Sequence, residues 1–425
     1  MYKLSTYNFT TINNDIVHIF SGISGAIIEF PLDIYEEIKK NDLKSISNSD
    51  KQTLLKTNIL IEGSTDEKHL LNAKLITDKY QKKHLNLTIL PTLNCNFACT
   101  YCYEHKREIK MSNETIHNII DFVKNQINSL ETLNVTWMGG EPLLGIEEIE
   151  HISKKLIHLS NQHNVKYISD IITNGYLINN SNIHILKTNK INKVQITLDG
   201  PPEIHDKRRF TKSNKSTFFN IINSIHLLYR EKFDITIRIN IDDSNVDHIE
   251  ELLCMINKEN LLNINVSFAQ VTNDTDACAD YGQCITTSQF GLIENKFRKL
   301  ALNKGFRISS HLNPRSISCG AVMVNNYVIN PDGTVVKCWN EIGNSNHSIG
   351  NISAGGKLVI NNPNRNDYWI SYSPIKDSKC KECTILPVCM GGCHWQKENN
   401  KCPTIKYIYK KVIDFELNVL LHSQN

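Results

Sequence analysis

The placement of cysteine is the feature that most constrains this chain. Thirteen cysteines occur among 425 residues, with three between positions 95 and 102 and seven between positions 319 and 402. Core packing alone does not produce such clustering. The N-terminus has no apolar core after a basic flank, so we predict no signal peptide and a cytoplasmic location. Because thiols stay reduced there, metal ligation is the leading explanation for both groups.

Composition excludes several other classes of protein. The formal charge is +3, from 47 basic and 44 acidic residues, which is too weak a bias to predict a nucleic-acid partner. No apolar run approaches the roughly 18 residues that a membrane span needs, so we predict no membrane partner. At roughly 150 residues per domain, the length indicates about three folding units.

Strand and helix patterns divide the chain into regions. Residues 1–84 read as short strands followed by helices. The strand-like runs lie at 2–8, 16–20 and 26–30, and the helical patterns begin at Pro31, at Ser49-Asp50 with an end near Leu55, and at about residue 64 with an end near 82. These signals predict a separate N-terminal domain.

From residue 85 onward, buried strands alternate with amphipathic helices. The strands are predicted at 85–93, 133–139, 165–173, 193–199, 234–241 and 263–270. This alternation predicts an α/β fold with a parallel sheet and right-handed crossovers over residues 85–305. Since six units are too few for an eight-unit barrel, we expect an incomplete (β/α)6 TIM-like barrel. In such a sheet, the chemistry belongs at the carboxyl ends of the strands.

The alternation of strand and helix patterns ends near residue 305. Turn signals then dominate, so we expect the cysteines to organise residues 306–405. The last part of the chain, 406–425, is predicted to be an amphipathic helix that packs back on the body of the protein.

The first cysteine group is the segment CNFACTYC, which places Cys95, Cys99 and Cys102 on a loop just after the first barrel strand. Three thiols bind three corners of one iron–sulfur cube and leave one iron open, whereas electron-transfer clusters are generally closed by four cysteines. A structural zinc site also needs four ligands, and the nearest candidate for a fourth is His105. The motif therefore favours an open cluster over zinc.

This spacing resembles the CxxxCxxC signature of the radical S-adenosylmethionine superfamily. A second element agrees with it, because Gly139-Gly140-Glu141-Pro142, at the end of the second predicted strand, resembles the family's GGEP turn. On its own such a turn is a weak signal. The resemblance implies that the glycines allow close backbone approach to the cofactor and that Glu141 accepts from its amino group.

Further strand ends fit the same family. Asn174 follows the third strand and Asp199 ends the fourth, and the family binds the ribose and carboxylate of the cofactor near these points. A His-Asp-x-x-Arg stretch resembles a family element and ends at Arg209, which we favour over Arg208 for a carboxylate contact. Tyr101 is expected beside the cluster and the adenine. No acid or base residue is assigned.

The resemblance also implies the chemistry. A reduced cluster donates one electron to S-adenosylmethionine, and the resulting 5′-deoxyadenosyl radical removes a hydrogen atom from the substrate. The electron comes from an external one-electron reductant such as flavodoxin or ferredoxin.

The second cysteine group resembles the seven-cysteine pattern of the SPASM domain, which occurs on radical enzymes that modify peptides and proteins. Its members are Cys319, Cys338, Cys380, Cys383, Cys389, Cys393 and Cys402. A zinc ribbon of four of these cysteines is the alternative, but it leaves the other three unexplained.

The SPASM resemblance implies two auxiliary clusters in addition to the one that binds S-adenosylmethionine, hence three 4Fe-4S clusters. The outer cluster would be held by Cys380, Cys383, Cys389 and Cys402, and the inner one by Cys319, Cys338 and Cys393. The ten cysteines of the two motifs are one thiolate short of closing these sites. Cys278 or Cys284 supplies the missing ligand, or the inner cluster is open to a substrate cysteine, which would favour thioether formation.

Two functions within this chemistry compete. The favoured one is a maturase of a ribosomally made precursor peptide, because residues 1–84 have the size and element order of a winged-helix-like domain that captures a leader segment as an added strand. The alternative is an anaerobic sulfatase-maturing enzyme that forms formylglycine. Those enzymes place an Asp after the second SPASM cysteine, where this chain has Trp339. A radical enzyme acting on a small metabolite and a non-catalytic zinc or iron–sulfur protein are further alternatives.

Overall fold

The structure is a computed structural model that describes residues 2–44, 46–261, 263–398 and 401–423. It separates into two compact units. Unit 1 consists of residues 1–79, 309–319 and 372–425, and unit 2 consists of residues 80–308 and 320–371. The predicted domain boundaries at 84, 305 and 405 stay predictions.

The strands of the described residues are β1 (Tyr2–Leu4), β2 (Asn8–Asn13), β3 (Ile16–Ser21), β4 (Ile27–Pro31), β5 (Leu60–Glu62), β6 (His84–Ile89), β7 (Thr132–Trp137), β8 (Lys166–Thr173), β9 (Ile191–Thr197), β10 (Asp234–Ile241), β11 (Asn265–Gln270), β12 (Asn326–Ile329), β13 (Thr334–Val336), β14 (Gly350–Ser353) and β15 (Lys357–Ile360). The helices are α1 (Leu32–Lys39), α2 (Asn48–Lys56), α3 (Glu67–Tyr80), α4 (Asn113–Lys124), α5 (Ile146–Gln162), α6 (Asn180–Thr188), α7 (Pro202–Arg208), α8 (Phe218–Arg230), α9 (Ile249–Lys258), α10 (Thr287–Asn303), α11 (Pro363–Ile370), α12 (Leu386–Cys389), α13 (His394–Lys397) and α14 (Ile405–Ser423).

Unit 2 contains one sheet of ten strands in the order β11-β10-β9-β8-β7-β6-β12-β13-β14-β15. The strands β6 to β11 pair in parallel with their neighbours. Most of the apolar residues of these strands are buried, and in β10 they alternate with polar residues, of which Arg238 and Asn240 line the cavity. The six predicted strands and the incomplete barrel are thus confirmed.

The sheet also has a strand that the sequence patterns did not predict. β12 pairs in parallel with β6, with Asn326 opposite Asn86 and Ile329 opposite Ile89. β13, β14 and β15 then continue the sheet in antiparallel order. The edge of the barrel beside β6 is therefore covered by a segment from the cysteine-rich part of the chain.

The helices of unit 2 are set by local sequence signals. Ser112 caps α4 by accepting a hydrogen bond from Thr115 N, which satisfies a backbone donor that the first turn leaves free. In α5, the buried residues Ile149, Ile152 and Leu156 recur at helical spacing, so one face packs against the sheet.

Unit 1 is built from segments that are distant in sequence. β2, β3 and β4 form an antiparallel sheet, and β1 pairs with β5. One core cluster joins Phe9 and Phe20 of this sheet to Leu312 and to Ile405 and Val412 of α14. The helix predicted for the C-terminal part of the chain therefore packs on the N-terminal strands.

Several N-terminal details differ from the predictions. The run at 2–8 divides into β1 and the start of β2 because residues 5–7 form a turn. The helix α2 is capped by Ser47, which accepts from Asp50 N, rather than by Ser49-Asp50. No helix among the described residues is both long and apolar enough to cross a membrane.

Candidate functional site

The three cysteines of the first motif lie on the loop after β6. Cys95, Cys99 and Cys102 all line one cavity of about 290 Å³ at the carboxyl ends of the parallel strands. Backbone hydrogen bonds from Ala98 N to Phe210 O and from Thr100 N to Arg208 O hold the loop in place. The structure therefore brings the three thiols together on the edge of the sheet where the chemistry was expected.

Burial affects the protonation of these thiols. Burial raises the pKa of the Cys95 thiol to about 12 and that of Cys102 to about 11, with Glu104 adding to the second shift. Burial lowers the pKa of the Lys106 ammonium, but the negative charge of the nearby sulfurs of Cys102, Cys95 and Cys99 raises it by more. The net effect is a raised pKa for Lys106. Lys106 is thus a fixed positive charge beside the three sulfurs.

The turn after β7 approaches this loop closely. Gly139 and Gly140 line the cavity and have φ values of +90° and +52°, which favour glycine. A Cβ on Gly140 would lie 2.1 Å from the carbonyl oxygen of Asn94. The backbone N of Glu141 donates to that same oxygen at 2.9 Å, so the turn is held directly against the start of the cysteine loop.

Glu141 lies behind the cavity wall and is fully buried. Its Oε1 accepts from Thr173 Oγ1 at 2.6 Å and its Oε2 from Asn174 N at 2.8 Å. A third bond comes from Leu143 N at 3.0 Å. These contacts tie the turn after β7 to the end of β8, and the direct contact of Glu141 with an amino group stays a prediction.

Four more predicted cofactor residues lie in or behind the wall. Tyr101, Asn174 and Arg209 line the cavity, whereas Asp199 is fully buried. The Tyr101 hydroxyl donates to Asp199 and accepts from Arg209 Nη1 at 2.8 Å. Asn240 N donates to Asp199 at 2.9 Å. Asp199 therefore positions the side chains that face the cavity.

The two neighbouring arginines have different surroundings. Arg208 pairs with Asp242 at 2.6 Å and also donates to Asn240 O at 3.2 Å. Arg209 lines the cavity, and its Nε has no hydrogen-bond partner although it is buried. Among the described residues, the Nε of Arg208 is likewise buried without a hydrogen-bond partner, but Arg208 is not one of the residues that line the cavity. The position of Arg209 therefore favours it over Arg208, and its contact with a carboxylate stays a prediction.

Glu104 is a cavity residue that the sequence analysis missed. Its carboxylate accepts from Gly140 N at 2.6 Å, and burial raises its pKa to about 7. Asp274 is a second carboxylate in the lining. The position of Glu104, two residues after Cys102, was the only signal that could have found it.

Polar side chains on the barrel strands form the rest of the wall. They are Gln195 and Thr197 of β9, Arg238 and Asn240 of β10, and Gln270 of β11. In β10, polar residues alternate with buried Ile from Ile235 to Ile241. Because alternate side chains of a strand face opposite sides, this pattern could have identified the cavity residues of β10.

Two residues singled out in the sequence also line the cavity, namely Cys278 and Trp339. The Cys278 sulfur lies 3.2 Å from Thr275 Oγ1, which donates to Tyr103 O at 3.0 Å. Trp339 Nε1 donates to Thr88 Oγ1 at 3.1 Å. Cys284 is not among the residues that line the cavity, and its thiol donates towards Tyr281 O at 3.8 Å.

The four cysteines assigned to the outer cluster all belong to unit 1. Burial raises the pKa of Cys389 to about 12, and the nearby thiols of Cys380, Cys383 and Cys402 add to the shift. Lys397 Nζ donates to the sulfur of Cys380 at 3.0 Å. The four thiols are thus close enough to interact electrostatically.

The three cysteines assigned to the inner cluster divide between the units. Cys319 and Cys393 belong to unit 1, and Cys338 belongs to unit 2. Cys338 lies near Tyr103 of the first cysteine loop, where it contributes to raising the pKa of the Tyr103 hydroxyl after the larger effects of burial and Glu104. The inner set stays a prediction.

The residues of the cavity fit the group that the sequence implies. Across the described ranges, no three His, Cys, Asp or Glu side chains converge as they would around a single metal ion. A cube of four irons separates its ligands more widely than one ion does. Three thiols on one loop, a neighbouring cation and a cavity beside them that the glycine turn also lines suit an open cluster with a bound cofactor.

Comparison with protein families agrees with this geometry. Residues 89–256 match the model of the Radical SAM superfamily, so the predicted resemblance is confirmed. The family implies S-adenosylmethionine and a 4Fe-4S cluster.

Curated relatives include the cysteine-type anaerobic sulfatase-maturating enzyme of Clostridium novyi (strain NT), which is 29% identical over 342 residues, 75% of this chain and 90% of the relative. The enzyme of the same name from Clostridium perfringens (strain ATCC 13124) is 25% identical over 76% of this chain and 93% of its own length.

Solved structures show the same fold. Native anSMEcpe with bound AdoMet and Cp18Cys peptide has a TM-score of 0.61 and 21% identity, and the match covers 79% of this chain and 99% of that one. Streptococcus suis SuiB bound to precursor peptide SuiA has a TM-score of 0.54 and 15% identity, and the match covers 95% of this chain and 98% of that one.

Proposed function

We propose, with the radical SAM domain of residues 89–256 as the premise, that this chain is a maturase that modifies a precursor peptide by abstracting a hydrogen atom. The observation that carries the proposal is the single cavity in which Cys95, Cys99 and Cys102 meet the glycine turn and Arg209. When bound there, the cluster and S-adenosylmethionine supply a one-electron cleavage that generates the abstracting radical.

The side chains of this chain have separate tasks in that reaction. The three thiolates hold the cluster, and Lys106 offsets part of their charge. Gly139 and Gly140 line the cavity, and their lack of a Cβ lets the turn pack closely against Leu90 and Asn94. Arg209, whose side chain lines the cavity, offers a guanidinium donor for the cofactor carboxylate.

Two buried carboxylates keep these groups in place. Glu141 fixes the backbone of Asn174, and Asp199 fixes Tyr101 and Asn240. Such outer groups are commonly worth about 10–100-fold in affinity or activity at metal sites. Glu104 is the wall carboxylate nearest the glycine turn and is a candidate to accept from the cofactor amino group.

The choice of a peptide substrate has two supports. The likeness to peptide-bound SuiB extends over 95% of this chain, whereas that to anSMEcpe extends over 79%. The N-terminal segment also contains the antiparallel sheet β2-β3-β4, whose outer strands have unpaired edges that suit the capture of an added strand. A leader segment bound in this way would deliver the residue to be modified.

The second candidate is the formation of formylglycine in a sulfatase. The curated relatives with matches over three quarters of this chain carry sulfatase-maturating names, which favours it. Trp339 counts against it because an indole cannot accept a proton where a carboxylate base is expected. The cavity carboxylates Glu104 and Asp274 belong to other loops.

The first experiment tests the radical chemistry. The chain is reconstituted anaerobically with iron and sulfide, and 5′-deoxyadenosine formation is measured under a strong reductant. The wild type is expected to form it, and the variant with Cys95, Cys99 and Cys102 replaced by Ala is expected to form none. Retention of zinc with no 5′-deoxyadenosine in the wild type would overturn the proposal.

The second experiment separates the two substrates. The reconstituted wild type is given a leader-bearing, Cys-containing precursor peptide or a sulfatase peptide with a central cysteine, and the products are analysed by mass spectrometry. A maturase forming a thioether removes two hydrogens from the first peptide. Replacement of the cysteine sulfur by a carbonyl oxygen in the second peptide alone would establish the sulfatase reaction instead.

A further inference from the structure

Positive charge is concentrated around the four outer cysteines. Residues 376–411 contain eight lysines and three acidic residues, a balance of +5, although the whole chain carries only +3. The rest of the chain therefore sums to −2. The lysines, here called the lysine face, are Lys376, Lys379, Lys381, Lys397, Lys401, Lys406, Lys410 and Lys411.

Two members of the lysine face contact cysteine sulfur directly. Lys397 Nζ lies 3.0 Å from the sulfur of Cys380, and Lys406 Nζ lies 3.1 Å from that of Cys383. Hydrogen bonds and positive charge at the ligand sulfurs stabilise the reduced form of an iron–sulfur cluster. A cluster held there is therefore suited to accept an electron.

Other members of the lysine face are exposed around the same sulfurs. Lys379 and Lys381 flank Cys380, and both are exposed. Lys410, also exposed, follows Tyr409, whose hydroxyl lies 3.4 Å from Thr384 Oγ1 of the cysteine loop. Within the described ranges, none of these three lysines forms an ion pair. Their charges are thus available to a partner.

We propose that the lysine face is the docking surface for an acidic one-electron carrier protein that reduces the outer cluster. In this step the carrier loses one electron and the cluster gains one, and no bond forms or breaks. The inference rests on the proposed function because it requires the outer cluster. Charge complementarity of this kind steers association and accelerates it by about 10–10³-fold.

The direct contacts at sulfur favour an electron carrier over a nucleic acid as the partner. A polyanion needs a charged surface but has no use for ammonium groups at cluster ligands. A carrier needs both, since the electron must arrive at a site that accepts it. The surface charge and the lysine–sulfur contacts therefore favour the same partner.

The test uses the full reconstituted chain and photoreduced flavodoxin as the acidic carrier. The rate constant for cluster reduction is measured by stopped-flow for the wild type, for K379E/K381E/K410E, and for a control variant, K124E/K155E/K166E. The control lysines are exposed and lie in unit 2. Iron content and reduction by a small uncharged photoreductant establish that each variant is folded and loaded.

We expect the rate constant with flavodoxin to fall at least about tenfold in K379E/K381E/K410E at low ionic strength, and to stay near the wild-type value in the control variant. Salt should slow the wild type and the control variant, because screening removes the attraction. Equal rate constants for the two triple variants would overturn the proposal.

Failure of the proposed function gives a different result. A wild type that retains no iron at the outer cysteines, or forms no 5′-deoxyadenosine with a chemical reductant, fails before flavodoxin is added. Calorimetric binding of oxidised flavodoxin then still decides the docking. Weaker binding by K379E/K381E/K410E than by the control variant supports the docking surface, and equal binding overturns it.

Discussion

The two cysteine groups of this chain have contrasting surroundings. Cys95, Cys99 and Cys102 line a cavity that also receives polar side chains from the ends of the parallel strands. Cys383 and Cys389 pack against an apolar cluster that includes Ile385, Val388 and Ile405. The first group therefore borders a cavity, whereas two members of the second border packed apolar side chains. These surroundings agree with the proposal of an open site at Cys95, Cys99 and Cys102 and a closed site at the four outer cysteines.

The largest predicted effect separates the two groups. Replacing Cys95, Cys99 and Cys102 by Ala removes about four irons per chain and abolishes 5′-deoxyadenosine formation, because the cofactor loses its open iron. Replacing Cys380, Cys383, Cys389 and Cys402 by Ser also removes about four irons but leaves this reaction intact under a chemical reductant. Iron analysis and chromatography measure both. Equal loss of 5′-deoxyadenosine in the two variants would contradict the division into an open and a closed site.

The next effect concerns the glycine turn of the open site. Gly140→Ala puts a Cβ 2.1 Å from the Asn94 carbonyl oxygen at a φ of +52°, so the turn must move away from the cysteine loop. We expect a lower melting temperature and loss of S-adenosylmethionine binding. Gly282→Ala is the matched control because a Cβ there meets nothing within 4 Å. S-adenosylmethionine binding is measured by calorimetry. Unchanged binding in Gly140→Ala would show that the turn does not contact the cofactor.

A smaller effect is expected for Glu141, which lies behind the wall of the cavity. Glu141→Gln keeps the size of the side chain but replaces one of the two carboxylate oxygens that accept from Thr173 and Asn174 by an amide nitrogen that can only donate. We expect the affinity for S-adenosylmethionine to fall about 10–100-fold, as is typical of outer groups at metal sites, with the iron content preserved. A wild-type affinity, or loss of iron together with affinity, would indicate a different role for Glu141.

The smallest expected effect comes from replacing one lysine beside each of the two cysteine groups. Lys106 stands beside the three-cysteine loop, and Lys406 contacts Cys383. Replacing either lysine by Met removes a positive charge near sulfur, so the reduction potential of that cluster alone should fall. Redox titration followed by electron paramagnetic resonance distinguishes the two clusters. If either substitution shifted both reduction potentials, the two clusters would be electrostatically coupled, which contradicts this prediction.

Much of the open site follows from local sequence patterns. The six barrel strands were predictable because each is a continuous or alternating apolar run, and the cysteines and the glycine turn stand directly after two of them. Arg238 and Asn240 were missed although they alternate with Ile in β10. This alternation indicates that one face of β10 is apolar and buried and that the other is polar and lines the cavity. The order of the residues therefore predicts cavity residues better than the composition of the strand does.

Other features depend on contacts between distant segments. β12 has four residues, and its partner β6 lies more than 200 positions earlier in the chain, so no local pattern predicts the pairing. Glu104 has the same limitation, since its role depends on Gly140 N from the following strand end. The cysteines proposed for the closed site were identifiable from the sequence, but the lysines that contact two of them were not. Their contact with sulfur depends on the fold of the loop and of α14.

The discontinuous core of unit 1 has a consequence for the order of events during synthesis. Phe9 and Phe20 emerge from the ribosome before the barrel strands, but Ile405 and Val412, which pack against them, emerge after those strands. The parallel strands β6 to β11 are complete once Gln270 has been made. The barrel can therefore assemble while the N-terminal strands still wait for their apolar partners. A ribosome that stalls near residue 400 would thus release a finished barrel attached to an aggregation-prone first unit.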